Sequence, residues 1–99
     1  MTRLFDEQKR EIAVLSRLAS LSGQRVLDVG CGDGRMTMLI AEIAGSVVGI
    51  DPNADAIEQA RKRVADIRRD SVSFVAEDVN TVSATWLAAF DVVVFSRSL

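Results

Sequence analysis

The sequence predicts an α/β fold built on a parallel sheet, and three features carry the prediction. Short apolar runs suited to strands alternate with segments of helical periodicity along the chain. The last run, "DVVVF", is apolar on both faces, as a strand covered by a layer on each side would be. An earlier run, Arg25 to Val29, leads directly into a glycine-rich turn followed by a second helical pattern.

Taken in order, Phe5, Ile12, Leu15 and Ala19 recur at helical spacing among Arg3, Asp6, Glu7, Lys9 and Arg10. They predict an amphipathic helix ending near Ser22-Gly23. Arg25 to Val29 is the first strand. Met36, Leu39, Ile40 and Ile43 mark the next helix, with Gly45 as its C-terminal stop. "SVVGI" is the second strand and ends at Asp51. Asn53 is placed as the N-cap of a helix that carries Asp55 and Glu58 in its first turn, where the helix dipole favours acids. Ile57, Ala60, Val64 and Ile67 form its apolar stripe. "VSFVA" is the third strand, Val82 to Ala89 a short helix with Trp86 and Leu87, and "DVVVF" the fourth strand. Strands that alternate with helices in this way are parallel, with right-handed crossovers. No linker or repeat divides the chain, which reads as a single domain over residues 1–99.

The chain has 99 residues, of which 48% are apolar and 26% charged, a globular composition. The net charge of −2 supplies no global basic field for nucleic acid. Arg61, Lys62, Arg63, Arg68 and Arg69 cluster on one predicted helix and read as a solvated face, with an RNA-binding patch as the lesser alternative. The absence of histidine excludes Ser-His-Asp and Cys-His catalysis and histidine-ligated metal sites. The one cysteine, Cys31, permits no intramolecular disulfide and suits a reducing compartment. The N-terminus is charged and lacks a signal-peptide core, and no apolar run nears the roughly 20 residues that span a bilayer. The expectation is a cytoplasmic protein with no membrane partner.

"VLDVGCGDGRM", Val26 to Met36, carries the functional signal. Gly30, Gly32 and Gly34 let the backbone turn tightly and let a ligand approach where a Cβ would stand. They fit either a ligand cradle or a purely structural βα turn. Their spacing is G-x-G-x-G rather than the G-x-G-x-x-G of dinucleotide sites. Asp28 just before them opposes a diphosphate and suits a ligand bearing ammonium and sulfonium groups. Its structural alternative is a carboxylate that bonds the loop's own amides. Cys31 reads as a small residue tolerated in a tight loop, Ser96 and Ser98 as polar lining, and Trp86 as a core or interface residue.

"VLDVGCGDG" resembles motif I of the class I S-adenosylmethionine-dependent methyltransferases, and later segments resemble the family's other motifs in order. "VVGIDPN" resembles the second motif, which implies that Asp51 binds the two ribose hydroxyls and that Pro52 and Asn53 lie against the adenine. A carboxylate's paired oxygens suit a vicinal diol. "AEDVN" resembles the third motif, implying that Asp78 accepts from the adenine amine, with the Val79 backbone beside it. "FDVVVFSRSL" resembles the fourth, whose strand ends beside the methyl group, at Ser96.

The resemblance implies a Rossmann-like three-layer fold with strand order 3-2-1-4, truncated after the fourth strand. It also implies S-adenosylmethionine as cofactor and S-adenosylhomocysteine as product. The acceptor is expected to be a small molecule, since "SRSL" differs from the signature of amino-group methyltransferases. No catalytic base is identifiable. Two other readings use the same residues: a non-catalytic cofactor-binding or assembly module, and a nicotinamide-dependent oxidoreductase. The chain ends just past the fourth strand, so the half that completes the acceptor pocket is expected to lie elsewhere. An open, apolar fourth-strand edge and a thinly covered sheet face then predict a homodimer.

Overall fold

The computed structural model describes residues 3–6, 21–67 and 70–96. Its strands are β1 (Arg3–Asp6), β2 (Arg25–Val29), β3 (Ser46–Ile50), β4 (Val72–Val75) and β5 (Val92–Phe95). The helices are α1 (Arg35–Ala41), α2 (Ala54–Ile67) and α3 (Ala84–Leu87), with a 3₁₀ turn at Val79–Thr81 before α3. The sheet order is β1-β5-β2-β3-β4, and all four pairings are parallel. The four strands predicted from the sequence therefore stand in the order 3-2-1-4, with β1 added outside the fourth.

That added strand corrects two expectations. Residues 3–6, assigned to an amphipathic helix, are extended and pair with β5 in the register Arg3↔Val92 to Asp6↔Phe95. The remainder of the predicted helix, 7–20, lies outside the described residues. The open edge expected on the fourth strand is thus occupied. Four residues of helical pattern carry little local preference, whereas an unpaired apolar strand offers a row of backbone donors and acceptors.

Both faces of the sheet are covered. On one, Val26, Val47, Phe74, Val92 and Val94 pack with Ile40 of α1 and Ile57 and Ala60 of α2. On the other, Leu27, Val29, Ile50 and Val93 pack with Phe90, and Trp86 and Leu87 of α3 lie against them. Trp86 meets Phe90 edge-on, with ring centroids 4.9 Å apart. The exposed apolar patch predicted for the second face is absent among the described residues, whose only exposed large apolar side chains are Leu39 and Ile67. Ile67, placed on the buried stripe of α2, is instead exposed, because only Ile57 and Ala60 of that helix reach the core fully.

Several local signals take a different job from the one predicted. α1 stops at Ala41, and Gly45 serves a close approach: a Cβ there would lie 2.9 Å from the Gly23 carbonyl carbon. Arg61 is more than a solvated charge, since its Nε and Nη2 donate to the Phe74 carbonyl at 3.2 and 2.9 Å. The carbonyls of Ser71 and Val75 accept from Val47 and Asp51. By the two-residue period, Phe74's carbonyl faces away from β3, so Arg61 caps a polar group on the outer edge of β4. Arg63 donates to Asp33 on the glycine loop.

Candidate functional site

The site forms where β2, β3, β4 and β5 end. Being parallel, they deliver their C-terminal residues to one edge of the sheet, and the chain order reverses around β2. Ligands of open α/β sheets bind at such a point.

The loop after β2 is held in a conformation that glycine alone adopts easily. Gly30, Gly32 and Gly34 all have positive φ, at 74°, 55° and 89°. The amides of Gly30 and Cys31 both donate to the Ile50 carbonyl, at 2.8 and 3.1 Å, tying the loop to the end of β3. Gly34 stands at the N-cap of α1. A Cβ on it would come within 2.8 Å of the Phe74 ring and 3.1 Å of Ala60, so its bareness serves helix–sheet packing. The Cys31 side chain is buried, and its Sγ would lie 2.9 Å from a Cβ on Gly49.

Asp51, just past β3, is 7% exposed. Its Oδ2 accepts from the Gly32 amide at 3.0 Å and its Oδ1 from the Asn53 amide at 2.9 Å. A carboxylate has about four acceptor positions, so two such bonds leave capacity for a diol. Asn53 caps α2 as predicted, its Oδ1 accepting from the amides of Asp55 and Ala56. Asp78 caps the 3₁₀ turn, with Oδ1 accepting from the Asn80 amide at 2.9 Å.

A cavity of about 310 Å³ opens among these residues. Gly30, Asp51, Pro52, Asp78 and Val79 line it, five of the residues predicted from sequence. Glu77 and Asn80 also line it and were not predicted. Glu77 lies inside the quoted "AEDVN", so the signal was present; its amide donates to the Asp51 carbonyl at 3.1 Å. Another hollow, of about 250 Å³, shares Gly30 in its lining and includes Cys31 and Ser96.

Four predicted residues line neither space: Asp28, Gly32, Gly34 and Asn53. Asp28 is fully buried beneath the loop. Its Oδ2 accepts from the Thr37 hydroxyl at 2.6 Å, and its Oδ1 from the Ser96 hydroxyl. A buried carboxylate bonded by hydroxyls is satisfied without a ligand. Asp28 thereby joins β2, α1 and the end of β5. Thr37, also fully buried, was missed. Its signal was a polar residue on the inner stripe that it shares with Ile40 and Ala41.

Comparison with known proteins places this geometry. Residues 20–99 match the methyltransferase domain family. The magnesium-protoporphyrin O-methyltransferase of Rhodobacter capsulatus is 38% identical over 87 residues, which are 87% of this chain and 38% of that protein. A 23S rRNA (uracil(1939)-C(5))-methyltransferase of Shewanella frigidimarina is 32% identical over 72 residues, 71% of this chain and 16% of that protein. The solved structure of magnesium protoporphyrin IX methyltransferase from Synechocystis PCC 6803, with bound SAM, is similar in fold. Its TM-score is 0.71 at 21% identity, over 90% of this chain and 43% of that one. The chain thus spans 16% to 38% of the length of these two sequence relatives, one acting on a small molecule and one on RNA. On the match over residues 20–99, the chain belongs to the class I S-adenosylmethionine-dependent methyltransferases.

Proposed function

We propose that residues 1–99 form the cofactor-binding unit of a methyltransferase that uses S-adenosylmethionine and acts on a small-molecule acceptor. The observation that carries the proposal is Asp51, a carboxylate 7% exposed that both braces the glycine loop and lines the cavity at the strand ends.

The residues fit the cofactor on three counts. Asp51 has acceptor capacity for a ribose diol. Asp51, Glu77 and Asp78 line the cavity without a cationic side chain among its lining, which favours a cationic ligand over a phosphate. The cavity lined by Asp51, about 310 Å³, falls within the usual range for small-molecule sites, about 300–1,000 Å³.

When bound, the cofactor supplies an electrophilic methyl group on a sulfonium. The protein's part is to position and to exclude water. Asp51 orients the ribose, and the Gly32 amide keeps that carboxylate pointed. Pro52 and Val79 offer apolar contact to the base, and Asp78 offers an acceptor to its exocyclic amine. Asn53 acts by starting α2 and donating its amide to Asp51. Gly30 lines both the cavity and the hollow that includes Ser96, so a ligand passing Gly30 comes near the end of β5.

A small-molecule acceptor is supported by the net charge of −2 and by relatives such as the trans-aconitate 2-methyltransferase of Afipia carboxidovorans, 36% identical over 66 residues. A reducing, cytoplasmic location is supported by the single cysteine, which is buried. Among the described residues, no helix is long and apolar enough to cross a membrane. A homodimer is not part of the proposal, because the strand edge that argued for it is paired with β1.

The direct test is calorimetry of S-adenosylhomocysteine binding. Asp51→Ala is expected to weaken it by about 1.5–3 kcal/mol, the usual value of a hydrogen bond to a charged group. Equal affinities in folded mutant and parent would remove Asp51 from the site.

A further inference from the structure

Arg63 lines neither the cavity nor the hollow that includes Ser96, yet it reaches the glycine loop from α2. Its Nε donates to the Asp33 carbonyl at 3.2 Å, and its Nη2 donates to Asp33 Oδ2 at 3.4 Å. That carbonyl shares a peptide group with the Gly34 amide, which donates to the Cys31 carbonyl at 3.0 Å. The Cys31 carbonyl shares a peptide group with the Gly32 amide, which donates to Asp51 Oδ2 at 3.0 Å. Three hydrogen bonds through two peptide groups thus join an exposed guanidinium to the carboxylate that lines the cavity. The dipoles along this relay all point one way. Each carbonyl faces the cationic end and each amide the anionic end, so each bond polarises the next.

We infer that Arg63 is a positioning residue for Asp51, acting through the glycine loop, an inference that rests on the cofactor reading of the site. Arg63 thereby strengthens the binding of a ribose that it never touches. The physical basis is conformational. Gly32 and Gly34 flank Asp33 with positive φ, so the peptide group between Asp33 and Gly34 rotates easily unless both its ends are bonded. Arg63 holds its carbonyl and the Cys31 carbonyl holds its amide. With that group fixed, the Gly32 amide keeps its direction and Asp51 stays aimed at the cavity. α2 gives Arg63 a firm base, since Ile57 and Ala60 are buried and Arg61 is bonded to β4. An ion pair open to solvent is worth little, so the bond to the Asp33 carbonyl carries the effect and the Asp33 carboxylate does not.

The test compares Arg63→Ala with Asp33→Asn, two changes outside the buried core. Hydrogen exchange of the Gly32 amide, followed by NMR in the ligand-free chain, reads the relay directly. Exchange is expected to quicken about tenfold in Arg63→Ala and to stay at the parent rate in Asp33→Asn, where the carbonyl bond survives. Calorimetry with S-adenosylhomocysteine is expected to show binding about threefold to tenfold weaker for Arg63→Ala and unchanged for Asp33→Asn. In an Asp51→Ala background, Arg63→Ala is expected to cost no further affinity, because the residue it acts through is gone. An equal loss in both backgrounds would mark a general structural role and overturn the inference. An unchanged Gly32 exchange rate in Arg63→Ala, or an equal effect from Asp33→Asn, would overturn it too. A chain whose Gly32 exchange responds as expected but which binds no S-adenosylhomocysteine would keep the relay and refute the cofactor reading.

Discussion

Asp28 and Asp51 are two carboxylates, each near a strand end in a quoted motif, and their surroundings give them different work. Asp51 is bonded by two backbone amides and faces the cavity. Asp28 is bonded by two hydroxyls and is fully buried. Sequence placed both at the site, since motif position marks the strand end but not the direction of the side chain. Thr37, nine residues from Asp28, gave a faint signal because its partner is chosen by packing rather than by local spacing. Its hydroxyl hydrogen-bonds a carboxyl group that burial takes away from water. Thr37→Val keeps the shape and removes that donor, so it is expected to destabilise the fold by about 1–3 kcal/mol. Urea unfolding of the two proteins checks this. A midpoint unchanged by the substitution would mean that Asp28 is held by other partners.

At the scale of elements, β2 to β5 were legible because strand and helix periods alternate, and Asn53 because capping chemistry is local. β1 was not legible. Four residues decide nothing by periodicity, and its pairing with β5 spans almost the whole chain. A long-range latch fastens the other side of β5. The Arg25 amide and guanidinium both donate to the Asp91 carboxylate, at 2.9 Å from the amide and 3.2–3.3 Å from the side chain, joining the starts of β2 and β5. The Arg25 side-chain bond, then its backbone bond, holds the Asp91 carboxyl below its ordinary value of 3.8. A carboxyl depressed on folding contributes stability that is complete above its unfolded pKa and is lost as pH falls through the folded one. Asp91→Asn is therefore expected to melt below the parent at pH 7, with the gap closing under acid, below about pH 4. A gap of equal size at both pH values would show that the ionised latch contributes nothing.

For the whole molecule, the two flanks of the four strands predicted from sequence are treated differently. β4 has Arg61 capping a carbonyl on its outer edge, whereas β5 is covered by β1. The homodimer predicted from sequence assumed that β5 was bare, an assumption natural to a reading in which strand neighbours come from adjacent motifs. Removing residues 1–6 recreates that situation. Light scattering at micromolar concentration is expected to show a larger particle for the shortened chain than for the intact one. Equal masses would mean that β1 does not shield the edge.

The central claim is that the crevice at the ends of β2, β3 and β4 binds S-adenosylmethionine and its product. Glycine spacing and the acidic lining discriminate against a dinucleotide with its diphosphate, whereas a carboxylate placed for a ribose, as Asp51 is, suits both ligands. Parallel calorimetric titrations of the intact chain with S-adenosylhomocysteine and with NADH measure that discrimination directly. The expected result is saturable, one-to-one binding of S-adenosylhomocysteine and no measurable heat of binding for NADH. Binding of NADH with equal or greater affinity, or failure of S-adenosylhomocysteine to bind a folded chain, would contradict it.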